Sequence, residues 1–174
     1  MPALIALALS VGVLAIIDTW LFVVPLADFL PGLVWISFIA WGCHFHSGGG
    51  TKGTTTTVVC MSWGALVGML AVMLANGPLG PLDDPIALGI AVGLGAAVIC
   101  LSSAVSLLAT IPASVYGFAS IAGPMVLRGD APEDAIVPTI LAVIIGAAFG
   151  YVSEMLANAL TKKAPAAAAA ADAA

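Results

Sequence analysis

The stretch from His44 to Thr57 reads HFHSGGGTKGTTTT and gathers side chains that could hold a phosphate, a metal or a proton. A phosphate loop of the Walker kind needs G-x-x-x-x-G-K-[ST] between a strand and a helix. Here Lys52 precedes Gly53 and the run before the loop, VWISFIAWGC, reads as a membrane span, so that chemistry is rejected. His44 and His46 are two residues apart, which on a helix aims them in different directions. No carboxylate is adjacent to them. A structural zinc site wants about four ligands at recognised spacing. Cys43 and Cys60 only flank the loop, and no metal or cofactor is expected. Two readings of the histidines stay open. They hydrogen-bond loop carbonyls at a membrane interface, or they form a polar gate that responds to protons near neutral pH. Thr54 to Thr57 divide in the same way, between bonding back to their own helix and presenting hydroxyls to a passing solute.

What positions these residues follows from composition. The chain has 174 residues, 62% of them hydrophobic and 7% charged, with a mean hydropathy of +1.20. An ordinary soluble domain carries about 25% charged residues, so the outer surface here must face lipid. A net charge of −5 with four basic residues argues against nucleic acid. Three cysteines, Cys43, Cys60 and Cys100, give no disulfide framework. The apolar N-terminus lacks the basic segment of a signal peptide and is read as a span.

A hydrocarbon core takes roughly 20 helical residues per crossing. Apolar runs between Gly, Pro and acidic punctuation predict six spans, at 3–24, 29–46, 55–76, 85–103, 107–127 and 134–160. They form one domain over residues 1–160, followed by an alanine-rich tail at 161–174. Lys52, Lys162 and Lys163 fall on one side of such a bundle, and the acidic loops with Asp83, Asp84, Asp130, Glu133 and Asp134 on the other. The positive-inside bias then places both termini in the cytoplasm.

The spans are written twice. A shift of 81 lays Ile5–Gly12 on Ile86–Gly93, Pro31 on Pro112, Trp35 on Tyr116 and Gly42 on Gly123. A shift of 82 lays Gly64–Asn76 on Gly146–Asn158, with seven of thirteen positions identical. This is duplication, with repeat one at 3–76 and repeat two at 85–158. Three spans per copy reverse the second copy in the membrane, the inverted-topology plan of channels and transporters. Gly64 with Gly68, and Gly146 with Gly150, form small-xxx-small faces that favour close helix contact. They predict that spans 3 and 6 cross on the pseudo-two-fold axis.

Few polar groups lie inside the spans. Asp18 either reaches water at the outer interface or faces the interior near Thr19 or Ser37, and its repeat mate is Ile99. Glu154, whose mate is Val72, is expected to snorkel toward the cytoplasmic surface. Trp20 and Trp63 suit an interfacial belt. Trp35 and Tyr116 either join that belt or narrow a path from its two ends. No nucleophile elbow or other catalytic constellation emerges, so an enzyme is not expected.

The pattern WISFIAWGCHFHSGGGTKG, then IPASVYGFASIAG, then IIGAAFGY resembles the bacterial inner-membrane family known as domain of unknown function 1097, the YcdZ-like proteins. The likeness runs over roughly residues 5 to 155 and includes Gly49-Gly50-Thr51-Lys52-Gly53. It implies an integral inner-membrane protein and carries over no substrate. From the residues, the expectation is an all-α membrane protein acting as a channel for a small neutral or weakly basic solute such as urea or ammonia, assembled as a homo-oligomer. Its path candidates are Asp18, Trp35, His44, His46, Thr54, Thr57 and Tyr116. A proton-coupled secondary transporter and a non-transporting subunit docked on a membrane complex are the alternatives.

Overall fold

The computed structural model describes residues 1–161. Every regular element among them is helical: α1 (Ala3–Val23), α2 (Val34–His46), α3 (Gly50–Asn76), α4 (Asp84–Ser102), α5 (Ile111–Ala122) and α6 (Pro132–Leu160). A short 3₁₀ turn, Ser106–Leu108, precedes α5, and a π-helical stretch, Gly123–Arg128, continues it. Lipid offers no hydrogen bonds to a backbone, so a chain this apolar must satisfy its own within helices. Proline in the first turn starts α4, α5 and α6, where its missing N–H has no partner to lose. Helices α1, α3, α4 and α6 are long and apolar enough to cross a membrane.

Two elements are shorter than their apolar runs predict. α2 has 13 residues and α5 has 12, about 20 Å and 18 Å of helix at 1.5 Å per residue. The chain before α2 turns repeatedly instead of continuing the helix, with Pro25, Pro31 and a left-handed Gly32 (φ +70°) marking the turns. α3 differs the other way. It begins at Gly50, five residues before the predicted start, so only Ser47 to Gly49 separate it from α2.

Close contacts fix the directions. The α-amino group of Met1 donates to the Leu160 carbonyl at 3.1 Å, and Ser10 Oγ donates to the Ser153 carbonyl at 2.6 Å, so α1 and α6 run antiparallel. Gly146 faces Ser37 and Gly150 faces His44, making α6 parallel to α2. Gly64 faces Ser114 and Gly68 faces Phe118, making α3 parallel to α5. α3 packs chiefly on α5 and α6 chiefly on α2, and α3 and α6 meet each other over a contact as extensive as those of α3 with α4 and of α6 with α1. The end of the bundle holding Met1, His46, Gly50 and Leu160 is called the terminal face below. The end holding Val23, Asn76 and Pro132 is the far face.

The glycine faces serve other partners than predicted. A Cβ on Gly64 would strike the Ser114 carbonyl of α5, and one on Gly146 the Ser37 carbonyl of α2. The small residues of α3 and α6 therefore admit the backbones of α5 and α2, and do not face one another. The core is built from small side chains. Cys43, Cys60, Met61, Ala113, Ala142 and Val143 pack together with Ile36 and Leu33, and Ala71, Ala75, Ala87 and Ala91 join α3 to α4. Large apolar side chains such as Leu4, Ile16, Leu94 and Leu101 point outward.

Candidate functional site

His44 is on the last turn of α2 and is wholly buried. Its Nε2 lies 3.0 Å from Glu154 Oε2 on α6, and its Nδ1 lies 3.2 Å from Thr54 Oγ1 on α3. The same Glu154 oxygen accepts the Gly50 N–H at 2.6 Å, while the Thr54 hydroxyl stands 2.9 Å from the Gly50 carbonyl. The four contacts close a ring. Thr54 has one hydrogen for two acceptors. If it donates to Gly50, then Nδ1 carries the proton that Thr54 Oγ1 accepts, which leaves Nε2 to the bond with Glu154. One proton is thereby shared between Nε2 and Glu154 Oε2.

The glycines before α3 make this ring possible. Gly48, Gly49 and Gly50 all have positive φ, at +94°, +68° and +58°, a backbone that side-chain-bearing residues rarely adopt. A Cβ on Gly49 would approach Glu154 Oε2 to 2.8 Å, and one on Gly53 the His44 carbonyl to 2.6 Å. The carboxylate of Glu154 thus caps the N-terminus of α3, a favourable place for negative charge.

Glu154 does not simply snorkel, as its sequence position predicts. It is held back from the surface by His44 and Gly50, and its side chain is about one-third exposed. A cleft of about 370 Å³ lined by Thr51, Thr54, Thr55, Ala148, Tyr151 and Val152 opens beside the ring.

Toward the far face lies a second polar group. Asp18 on α1 is 0% exposed, and Ser37 Oγ stands 3.0 and 2.9 Å from its two carboxyl oxygens. The interior alternative, with Ser37 as partner, is the one the structure adopts. Thr19 is exposed. Among the described residues no cation is paired with Asp18, and an unpaired charge at such depth costs about 3 kcal/mol or more. Between the two groups, Trp41 Nε1 donates to Ser153 Oγ at 2.9 Å, next to the Ser10–Ser153 bond. Asp18, Ser37, Ser10, Trp41, Ser153, His44 and Glu154 form a polar seam along α1, α2 and α6. Ser153, Trp41 and Ser10 escaped the sequence reading, because a lone serine or tryptophan in a span carries no pairing signal.

The other candidates scatter. His46 is exposed and meets Tyr116 edge-on, with ring centroids 5.9 Å apart, so the two histidines do not act as a pair. Trp35 is 71% exposed on the outer surface. Its mate Tyr116 instead packs against the core. Trp20 is exposed, and Trp63 Nε1 donates to Ser102 Oγ. Thr54 and Thr55 bond back to carbonyls four residues earlier. Thr57 does not. It is wholly buried with no partner, as are Thr139 and Ser114, and each unmade hydrogen bond of this kind costs about 1–3 kcal/mol.

An all-helical bundle with apolar outer faces and four helices long and apolar enough to cross a bilayer is a membrane protein. The chain belongs to the family described as Protein of unknown function (DUF1097), whose family model matches residues 8–158. No curated protein and no solved structure matches it.

Proposed function

We propose that the protein is a transporter of the bacterial inner membrane, six spans folded as two inverted three-helix repeats with cytoplasmic termini. It moves a small neutral or weakly basic solute, of the size of urea or ammonia, together with a proton. The observation that carries this proposal is the polar seam. Asp18, His44 and Glu154 carry carboxyl and imidazole groups, lie along one helix interface, and approach opposite ends of the bundle. Proton relays in membrane proteins are built from such buried carboxylates and imidazoles. Asp18 and Ser37 take the proton near the far face, and the His44–Glu154–Thr54 ring exchanges it near the terminal face. The short helices add support. α2 and α5 occupy corresponding places in the two repeats, and shortened segments at matched positions point to the binding region of inverted-repeat transporters. The packing also has the form a two-fold axis would give, with α3 on α5 and α4, and α6 on α2 and α1. Assembly of copies through the outer apolar faces, each with its own path, completes the proposal.

Full-length protein in proteoliposomes tests it. An inward proton gradient should drive methylammonium or urea above equilibrium, and Asp18→Asn should abolish that accumulation while the protein still folds. Accumulation that persists in Asp18→Asn would reject the coupling. An uncoupled channel for the same solutes is the second reading, favoured by the uncharged hydroxyls of Thr57 and Thr139. It predicts faster equilibration with no response to the gradient.

A further inference from the structure

Thr57 and Thr139 are repeat mates under the shift of 82 that aligns Gly64 with Gly146. Both are wholly buried, and both hydroxyls lack a partner. Thr54 and Thr55, on the same helix as Thr57, bond back to their own carbonyls, so the helix does not prevent that bond. The third orphan, Ser114, aligns with Leu33 under the shift of 81 and so has no hydroxyl mate, which leaves the two threonines as the matched pair.

Each stands seven residues into its helix, from Gly50 in α3 and from Pro132 in α6. That is about 10 Å of rise, and α3 and α6 run in opposite directions because α6 follows α2 and α2 forms a hairpin with α3. The two hydroxyls therefore sit at similar depth from opposite ends of the bundle. The buried residues around them on their own helices are Gly53, Cys60, Met61 and Gly64 in α3, and Ala135, Ala142, Val143 and Gly146 in α6. None is charged. Pro138, just before Thr139, lies inside α6 and leaves the carbonyl four residues back without its helical donor.

We propose that Thr57 and Thr139 are the two interior binding positions for the transported solute, one entered from each side of the membrane. They take a small uncharged molecule that both donates and accepts hydrogen bonds. The proposal rests on the transport reading above and adds to it a division of routes. The solute passes the hydroxyl pair on α3 and α6, while the proton uses the seam of α1, α2 and α6. A charged occupant is disfavoured, since none of the buried residues beside the two hydroxyls on their own helices carries a charge. A neutral amide or amine gains from each hydroxyl the bond that the protein leaves unmade.

Two measurements on the full chain test this. With Cys43, Cys60 and Cys100 replaced by alanine, Thr57→Cys and Thr139→Cys should react with a small impermeant methanethiosulfonate reagent, each from a different side of the proteoliposome. Both should react at least about tenfold faster than Ala91→Cys, a buried position in the apolar α3–α4 contact. Rates equal to that control would overturn the proposal. Separately, Thr57→Val and Thr139→Val should each slow urea flux about five- to tenfold, and Thr→Ser should restore it. Valine variants that gain thermal stability with flux unchanged would also overturn it, because the hydroxyls would then be packing defects alone. Two-sided labelling in a protein that carries no urea and no proton-driven solute would uphold wet positions at both threonines while removing the transport reading.

Discussion

Two interfaces of this bundle are mates by sequence and opposites by chemistry. In the first, α1 and α2 meet α6 through Ser10, Asp18, Ser37, Trp41, His44, Ser153 and Glu154. In the second, α4 and α5 meet α3, and the aligned residues are Ala91, Ile99, Phe118, Ala122, Met125, Ala71 and Val72. Where Ser10 bonds to the Ser153 backbone, Ala91 packs in one cluster with Ala71. Where Leu14 lies on α1, Gly95 makes room for the ring of Phe118. On this alignment of the two halves, the wholly buried carboxyl and imidazole, Asp18 and His44, fall in one copy of the contact, and the other copy keeps only hydroxyls and an indole, as in the Trp63–Ser102 bond. Packing needs only the apolar version. The polar version is the one on which the transport proposal rests.

The largest expected effect probes the scaffold that the two interfaces share. An added Cβ at Gly64 or at Gly146 meets a backbone carbonyl, which cannot swing aside as a side-chain tip can. Gly64→Ala and Gly146→Ala should each destabilise the fold by about 3 kcal/mol, near the upper end for overpacking. Gly12→Ala, where nothing lies within 4 Å, should be neutral or slightly stabilising, since alanine is the better helix former. Thermal unfolding in detergent measures all three. Loss of stability at only one of the paired glycines would break the equivalence of the two contacts.

Next in size is an exchange of chemistry between the interfaces. Ile99→Asp puts a carboxyl where Phe118, not a serine, holds the position aligned with Ser37. It should cost about 3 kcal/mol. Asp18→Asn keeps the hydrogen bond to Ser37 and should change stability by less than about 1 kcal/mol. A protein that tolerates Ile99→Asp as readily as Asp18→Asn would show that the second interface is not dry, and the contrast would lose its meaning.

How much of this was legible beforehand depends on whether a contact is local. The apolar runs announce six helical segments, and Asp18 next to a short list of hydroxyl partners could be read from the chain. The start of α3 could not. Its cap is the Glu154 carboxylate, supplied from 104 residues away, and no local Ser, Thr or Asp signals it. For the same reason Glu154 looks in sequence like a residue snorkelling toward the cytoplasmic surface, although its partners are His44 and Gly50. The glycine faces were legible as close-contact surfaces, but a small-xxx-small pattern does not say which helix will fill it.

A smaller effect tests the middle of the seam. Ser153 Oγ is the acceptor for the Trp41 indole N–H and itself bonds to the Gly150 carbonyl. Ser153→Ala, which installs the residue of the second interface, leaves the buried indole donor unpaired. The expected loss is about 1–2 kcal/mol, with a shift in tryptophan emission as the environment of the ring changes. Stability unchanged within error would mean that the seam is no more specific than its apolar mate.

The smallest effect separates Trp35 from Tyr116, which share a repeat position but not an environment. Trp35 lies on the outer surface and its ring only approaches Phe38, with centroids 6.3 Å apart. Trp35→Ala should shift stability by no more than about 0.5 kcal/mol, as exposed positions generally do. Tyr116 packs against the cluster of Cys43, Cys60 and Met61 and receives the edge of His46. Its truncation should cost about 1–2 kcal/mol, less than the range for a fully buried aromatic because the ring is only half-buried. Equal losses at both sites would mean that Trp35 is covered in the membrane by another copy of the chain, and chemical cross-linking of Trp35→Cys in proteoliposomes would then identify that contact.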